Sequence, residues 1–316
     1  MSSGLSESAV SLLPAVEEQP RCASHARSIS CDPCGSALFV DALVLVEVPL
    51  PWPKPVFEHP LLEGFTSMGD TSLGSTRVLA VVPEEKRSGI RVVVYQRDEV
   101  GVQSWGFRPS SPEELTHFAH QIKSTHPEQL DTTPDDLHPP DIAVLICTQG
   151  SHDVCCGAEG PRLVSELEDQ APGLAIFRVS HTGGHRFAPT AMTIPDGRMW
   201  AYLDAQSTLS ILELTGSPKD LSRHCRGWWG APPGPGQVAE RAVFEQIGWD
   251  ADVMPRELQV TETEAGWTVT VSVALDQWTV DVSQGREIPE ISCRAKGGMP
   301  AKSGYEYTVT SIESPN

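Results

Sequence analysis

Two short stretches constrain this chain more than any other part: Cys147-Thr-Gln-Gly-Ser-His-Asp-Val-Cys155-Cys156 and His181-Thr-Gly-Gly-His185. Each follows an apolar, strand-like run, Ile142 to Ile146 before the first and Leu174 to Val179 before the second. The first ligand-type residue of each pair therefore stands at or just past the carboxyl end of a strand expected to be parallel to its neighbour. Loops at that edge of an α/β sheet are where sites assemble. Thiolates and imidazoles together suit a zinc ion or a [2Fe-2S] cluster.

The surrounding pattern supports such an edge. Pro161 to Asp169 reads as a helix with Leu163, Val164 and Leu167 on one face. Ala191 to Leu203 reads as a hairpin turning at Pro195-Asp196-Gly197, and a further helix begins at Ser207. The order β-α-β-β-β-α is the thioredoxin-like arrangement. Upstream, Ala37 to Val48, Thr76 to Val82 and Ile90 to Tyr95 read as strands. A helix is expected from Ser110-Ser111-Pro112-Glu113-Glu114 to about Lys123, with Pro in the first turn and acids near the positive dipole end. Downstream, Gln237 to Ile247 is an amphipathic helix, and strands follow at Glu257–Thr263, Trp267–Leu275, Gln277–Val282 and Tyr305–Ile312.

The expected division is α/β throughout. Residues 1–36 are disordered or irregular, and 37–125 form an N-terminal α/β domain that weakly echoes a thioredoxin-like unit without ligands. Residues 126–140, with Pro127, Pro134, Pro139 and Pro140, form a linker. Residues 141–250 form the thioredoxin-like domain with both loops, and 251–316 a small antiparallel β-module.

Composition narrows the partners. The 316 residues carry 23 Lys+Arg against 42 Asp+Glu, a net charge of -19. That field repels nucleic acid and anionic membrane, serves solubility, and attracts a basic protein face such as that of a reductase. Met1 to Pro20 has neither a basic n-region nor an apolar h-region, so it does not read as a secretory signal. Ala37 to Leu50, with Asp41 and Glu47, is too short and too charged to span a bilayer. A cytoplasmic chain without membrane insertion is expected. Eight cysteines are too sparse for a disulfide scaffold, and their clustering with His favours metal or redox use. No P-loop, G-x-G-x-x-G after a strand or G-x-S-x-G is present.

Spacing alone leaves the metal open. Zinc-finger pairs are C-x2–4-C and H-x3–5-H; the His pair fits, but the eight-residue gap between Cys147 and Cys156 does not. A wide gap is easier to reconcile with a cluster, which is larger than one ion. Gly183-Gly184 lets the backbone turn tightly and approach an inorganic core, and Gly157 and Gly160 serve the same need.

Cys147-x8-Cys156, Gly160-Pro161 and Ser180-His-Thr-Gly-Gly-His-Arg-Phe-Ala-Pro-Thr190 resemble the sucrase/ferredoxin-like proteins, a branch of the thioredoxin-like ferredoxins. Arg226-Gly227, Gly236-Gln237, Glu240-Arg241-Ala242 and Gly248-Trp249 continue the likeness, which runs from about Arg21 to the end. The resemblance implies a thioredoxin-like ferredoxin domain whose [2Fe-2S] cluster is held by Cys147, Cys156, His181 and His185, with His-x3-His replacing the usual Cys-x3-Cys. In that fold the ligand Cys is followed by x3-Gly. Cys156-Gly-Ala-Glu-Gly160 fits, which leaves Cys155 as a buried neighbour or fallback ligand.

The cysteines would then hold one iron and the histidines the other. Two thiolates and two neutral imidazoles make the oxidised assembly neutral, where four thiolates make it a dianion. His ligation in Rieske centres accordingly moves potentials from about -400 mV to the range of about -150 to +300 mV. Reduction should raise the pKa of the second ring nitrogen, coupling electron to proton uptake. His152, Asp153 and Arg186 could tune the site from its edge, although surface solvation is their plainer role. These implications describe an electron carrier rather than an enzyme, with a redox partner protein.

Two other readings use the same chain. A zinc-stabilised structural or interaction module would employ the same four residues. A thiol–disulfide oxidoreductase would employ Cys31-Asp-Pro-Cys34, although that pair precedes a strand instead of opening a helix; with Cys22 nearby, the same pair could instead belong to a second metal site. Cys225 and Cys293 have no partner pattern and read as packing residues. His117 and His120 read as surface residues, and Trp228-Trp229 as core or a docking patch.

Overall fold

Ala42–Glu47 (β1) and Ala143–Cys147 (β6) are almost unbroken apolar runs, the composition of strands covered on both faces. Both lie inside one sheet of ten strands in the computed structural model, which describes residues 4–66, 69–83, 88–99, 101–135 and 138–315. The other strands of that sheet are β2 (Asp70–Thr71), β3 (Gly74–Val81), β4 (Val92–Asp98), β5 (Gly101–Phe107), β7 (Ile176–Val179), β8 (Ala191–Ile194), β9 (Arg198–Trp200) and β10 (Cys225–Trp228). Their order is β10-β9-β8-β6-β7-β3-β1-β4-β5, with β2 paired to β3.

The sheet is built from two units with one strand plan. In the second, β6 pairs in parallel with β7 and antiparallel with β8, which pairs with β9. In the first, β1 pairs in parallel with β3 and antiparallel with β4, which pairs with β5. In each, a parallel pair is extended by two antiparallel strands, the strand plan expected for the second unit. The two units meet edge to edge where Val81 of β3 pairs antiparallel with Val179 of β7. Glu47 pairs with Val81 as Cys147 pairs with Val179, so a carboxylate occupies in the first unit the place of the thiol in the second.

The α-helices are α1 (Glu7–Val10), α2 (Cys22–Ser28), α3 (Pro112–Gln121), α4 (Val154–Gln170), α5 (Ala205–Leu212), α6 (Pro218–Leu221), α7 (Pro235–Ile247) and α8 (Asp250–Val253). α4 crosses from β6 to β7. In the first unit two 3-10 turns, Val56–Glu58 and Pro60–Phe65, stand at the corresponding point, and α3 follows β5.

Three differences from expectation bear on the site. The described part of residues 1–36 carries α1 and α2, with Ala9, Cys22, Ala23 and Ala26 buried. α4 begins at Val154, not Pro161, so Cys155 and Cys156 lie in its first turn. The tail is the expected antiparallel module of β11 (Arg256–Thr263), β12 (Gly266–Val273), β13 (Asp276–Glu290) and β14 (Lys302–Glu313), with β13 and β14 longer than the sequence pattern implied. The long β13 carries the chain back to α2 and α4, where Ile291 is buried beside Cys22 and Cys155. The 126–140 linker includes residues 136–137, outside the described residues; nearby, Asp135 accepts hydrogen bonds from Arg91 (2.9 Å) and Arg108 (3.0 Å).

Candidate metal centre

The thiol side of the centre depends on close packing of α4 against the end of β6. A Cβ on Gly160 would lie 2.1 Å from the carbonyl oxygen of Cys147, and one on Gly157 would lie 2.3 Å from the Cα of Gly150. Both glycines therefore serve helix–strand contact, which brings buried Cys156 against buried Cys147. Asp153 caps α4 by accepting the N–H of Cys155 at 2.8 Å. The positive end of this 17-residue helix favours thiolates in its first turn.

Buried Gln149 ties the two loops together. Its Oε1 accepts the N–H of His181 (3.0 Å), and its Nε2 donates to the carbonyl of Pro53 (2.8 Å). Lys54 donates to the carbonyl of His152 (2.8 Å) and Arg77 to that of His181 (3.2 Å), so the ligand-free unit braces both loops. Gly183 and Gly184 have φ of +82° and +68°, the left-handed region glycine enters without strain. Beneath them lies the buried guanidinium of Arg226, which donates to the carbonyl of Gly183 (3.2 Å) and to the carbonyl of Ser36. A Cβ on Gly184 would come within 2.7 Å of its Cζ. The close protein neighbour that requires glycine at position 184 is thus the guanidinium of Arg226.

These supports bring ligand atoms of Cys147, Cys156 and His181 within 4.8 Å of one another. Nδ1 of His181 is buried without a hydrogen-bond partner among the described residues. The ring of His152 stacks on that of His181 at 3.6 Å and 16°. The ring of His185 lies 6.1 Å from that of His181 and is about one-third exposed (32%). Its Nδ1 sits 3.2 Å from Oδ2 of Asp153 and 3.1 Å from Sγ of Cys22. Hydrogen bonding from the Cys156 thiol, aided by His181, holds Cys147 well below the ordinary thiol value despite burial, and Cys156 is raised in turn. Burial, then the neighbouring His181 and Lys54, lowers His152 to about 4.

Of the four expected ligands, three converge and His185 adjoins them. Successive helical residues point about 100° apart, so Cys155 and Cys156 cannot face the same point. Cys156 faces Cys147, whereas Cys155 faces Cys22 (3.6 Å) and Cys293 (3.2 Å). Asp153 is not a solvated loop residue, because its side chain is only 9% exposed and touches His185. Burial opposes its charge, but the hydrogen bonds from His185 and the Cys155 N–H hold its carboxyl well below the usual range. His152 is likewise engaged, by stacking on His181. Arg186 pairs with Glu290 (2.8 Å) and lies over the ring of Phe187.

Cys22, expected beside Cys31 and Cys34, and Cys293, expected to be a packing residue, join Cys155 instead, across 133 and 138 residues that no local spacing could bridge. Hydrogen bonds from Cys155 and Cys22 hold Cys293 down at about 3 although burial opposes them, while Cys22 is raised. Cys155 is drawn down by Cys22, but Cys293 and burial push it to about 12. Cys31 and Cys34 lie in different core clusters; burial pushes Cys31 up to about 12 and Cys34 well above the usual value. A reactive dithiol requires the opposite shift. Trp228 and Trp229 are buried in the core, and His117 and His120 are exposed on α3. Among the described residues no helix is long and apolar enough to cross a membrane.

The model of a family described as sucrase/ferredoxin-like matches residues 33–227, a span that holds nearly all of the large sheet and both the Cys147–Cys156 and His181–His185 loops. No curated protein and no solved structure matches the chain.

Proposed function

The chain belongs to the sucrase/ferredoxin-like family, and from that premise we propose that it is an electron carrier holding a [2Fe-2S] cluster through Cys147, Cys156, His181 and His185. One observation carries the reading: His181 has a buried nitrogen without a hydrogen-bond partner among the described residues, and a ligand atom of its ring lies within 4.8 Å of the buried sulfurs of Cys147 and Cys156. Such a group is costly to bury unless something coordinates it. The donor set fits a cluster, with the close Cys pair on one iron and the histidines on the other. When bound, the cluster accepts and returns one electron.

The chain's own residues orient and shield. Asp153 engages Nδ1 of His185 and leaves Nε2 to ligate, the carboxylate–histidine arrangement that fixes tautomer and ring direction. Gln149 keeps the Cys and His loops in register, and His152 covers one face of His181. His185 is the exposed member, and electrons would enter and leave on its side. The reading includes proton uptake on reduction, which a potential independent of pH between about 6 and about 10 would overturn. With a net charge of -19, the partner would be a redox protein with a basic docking face. Eight free thiols suit a reducing compartment, here the cytoplasm.

The compactness of Cys147, Cys156 and His181 also suits a single zinc ion, the second reading. Anaerobic purification separates the two. The cluster reading expects red-brown protein with about two irons and two sulfides per chain, lost in Cys147→Ser and depleted in His181→Ala. Colourless, iron-free protein from an iron-replete host would overturn it; zinc lost in Cys147→Ser would establish the second reading.

A further inference from the structure

Three thiols meet beside the centre described above, at the N-terminal end of α4, where the Cys22 sulfur lies 3.1 Å from Nδ1 of His185. Cys22 opens α2, Cys155 lies in the first turn of α4, and Cys293 follows β13. Their sulfurs are 3.6 Å (Cys22–Cys155), 3.2 Å (Cys155–Cys293) and 3.3 Å (Cys293–Cys22) apart. A disulfide bond is about 2.05 Å, and three thiols cannot be paired off into disulfides. In a tetrahedral thiolate site with metal–sulfur bonds of about 2.3 Å, neighbouring sulfurs lie about 3.8 Å apart. The triangle therefore has the size of one face of a single-ion site and is too small to straddle a cluster.

A fourth donor completes it. Oδ1 of Asp153 lies 3.5 Å from Cys293 and 3.8 Å from Cys22, and all four ligand atoms fall within 4.8 Å of one another. The backbone also supports negative groups here: the N–H of Cys22 donates to the Cys293 sulfur at 3.3 Å, and that of Cys155 to Oδ1 of Asp153 at 2.8 Å.

We propose that Cys22, Cys155, Cys293 and Asp153 form a second metal site for one tetrahedral thiophilic ion, zinc by its donor set. It shares no ligand with Cys147, Cys156, His181 and His185, because the helical phase sends Cys155 one way and Cys156 the other. Asp153 stands between the sites, with Oδ1 toward the thiols and Oδ2 on His185. Cys22 and Cys293 lie outside the 33–227 span matched to the family. The ion would join the N-terminal segment and the C-terminal module, 271 residues apart between Cys22 and Cys293, to the helix that carries the first centre.

Metal analysis of the full chain tests this. About one zinc per chain is expected besides any iron, lost in Cys22→Ser, and lost in Cys293→Ser with iron, sulfide and visible spectrum unchanged. Cobalt(II) titration of Cys156→Ser, in which the first centre is broken, should still give thiolate-to-cobalt charge transfer, and Cys293→Ser in that background should abolish the band. The proposal is overturned by zinc-free protein from a zinc-replete host whose cobalt titration shows no charge transfer. It is equally overturned by a Cys155–Cys293 disulfide in anaerobically prepared chain, or by Cys293→Ser removing iron instead of zinc. Iron-free protein that keeps a Cys293-dependent zinc would sink the electron-carrier reading and sustain this one.

Discussion

Asp153 caps α4, holds His185 and faces three thiols, all through one carboxylate. Asp153→Asn keeps the cap, because Asn caps as well as Asp does, but removes the charge. Metal retention should weaken about 10- to 100-fold, measured as iron release to a chelator, with the fold unchanged by circular dichroism. Unaltered release would remove Asp153 from the ligand support. His181→Cys replaces a neutral ligand with a thiolate, so the potential should move toward the value of about -400 mV typical of all-thiolate clusters, read by an EPR-monitored redox titration. At this scale the sequence named the Cys147, Cys156 and His181 group, since strand ends and loop spacing are local. It named Asp153 as a residue that could tune the site but not His185 as its partner, because nothing in loop composition says where a cap's second oxygen points.

Among the elements, α4 carries the most consequence. Gly160→Ala would drive a methyl to 2.1 Å from the Cys147 carbonyl, a backbone atom that cannot swing aside. The helix would have to leave the strand, at a cost of about 3 kcal/mol or more, seen as a lower denaturant midpoint together with lost iron. The start of α4 was illegible because Cys-Cys-Gly-Ala-Glu-Gly has poor helix propensity and Pro161 looks like a first turn. Tertiary contact with β6 overrides both. β5 was missed for a related reason: Gly-Val-Gln-Ser-Trp-Gly-Phe lies at the sheet edge and has no apolar alternation. The strands β1, β3, β6 and β7 were legible because fully covered strands must be apolar along their length.

For the whole molecule, the C-terminal module is held to the large sheet by a buried charge network. Arg198 of β9 binds Glu240 of α7 (2.8 Å) and Asp252 of α8 (2.5 Å), and Arg256 of β11 binds the same two acids at 2.7 and 2.8 Å. Removing one partner leaves buried charge uncompensated, so Asp252→Asn should cost about 3–5 kcal/mol in the unfolding midpoint. Burial alone would raise the Asp252 carboxyl, but Arg198 and Arg256 outweigh it and hold it below its ordinary 3.8. The folded chain then binds fewer protons there than the unfolded chain. Its stabilisation is complete above pH 3.8 and disappears as pH falls through the lower folded value. Denaturant midpoints should drop below about pH 4 in the wild type and drop less in Asp252→Asn; equal slopes would exclude Asp252 as the source.

Residue order alone marked out the candidate Cys and His group and the strand plan of the second unit, because both arise from neighbours a few positions apart: apolar runs that end at a thiol, glycines at a tight turn, a His pair on one loop. Folding decided which sulfur goes where. The turn of α4 splits Cys155 from Cys156, and the return of β13 brings Cys293 to Cys22 across 271 residues. Neither is encoded in local spacing, since helical phase depends on where the helix starts and a contact between chain ends depends on everything packed between them.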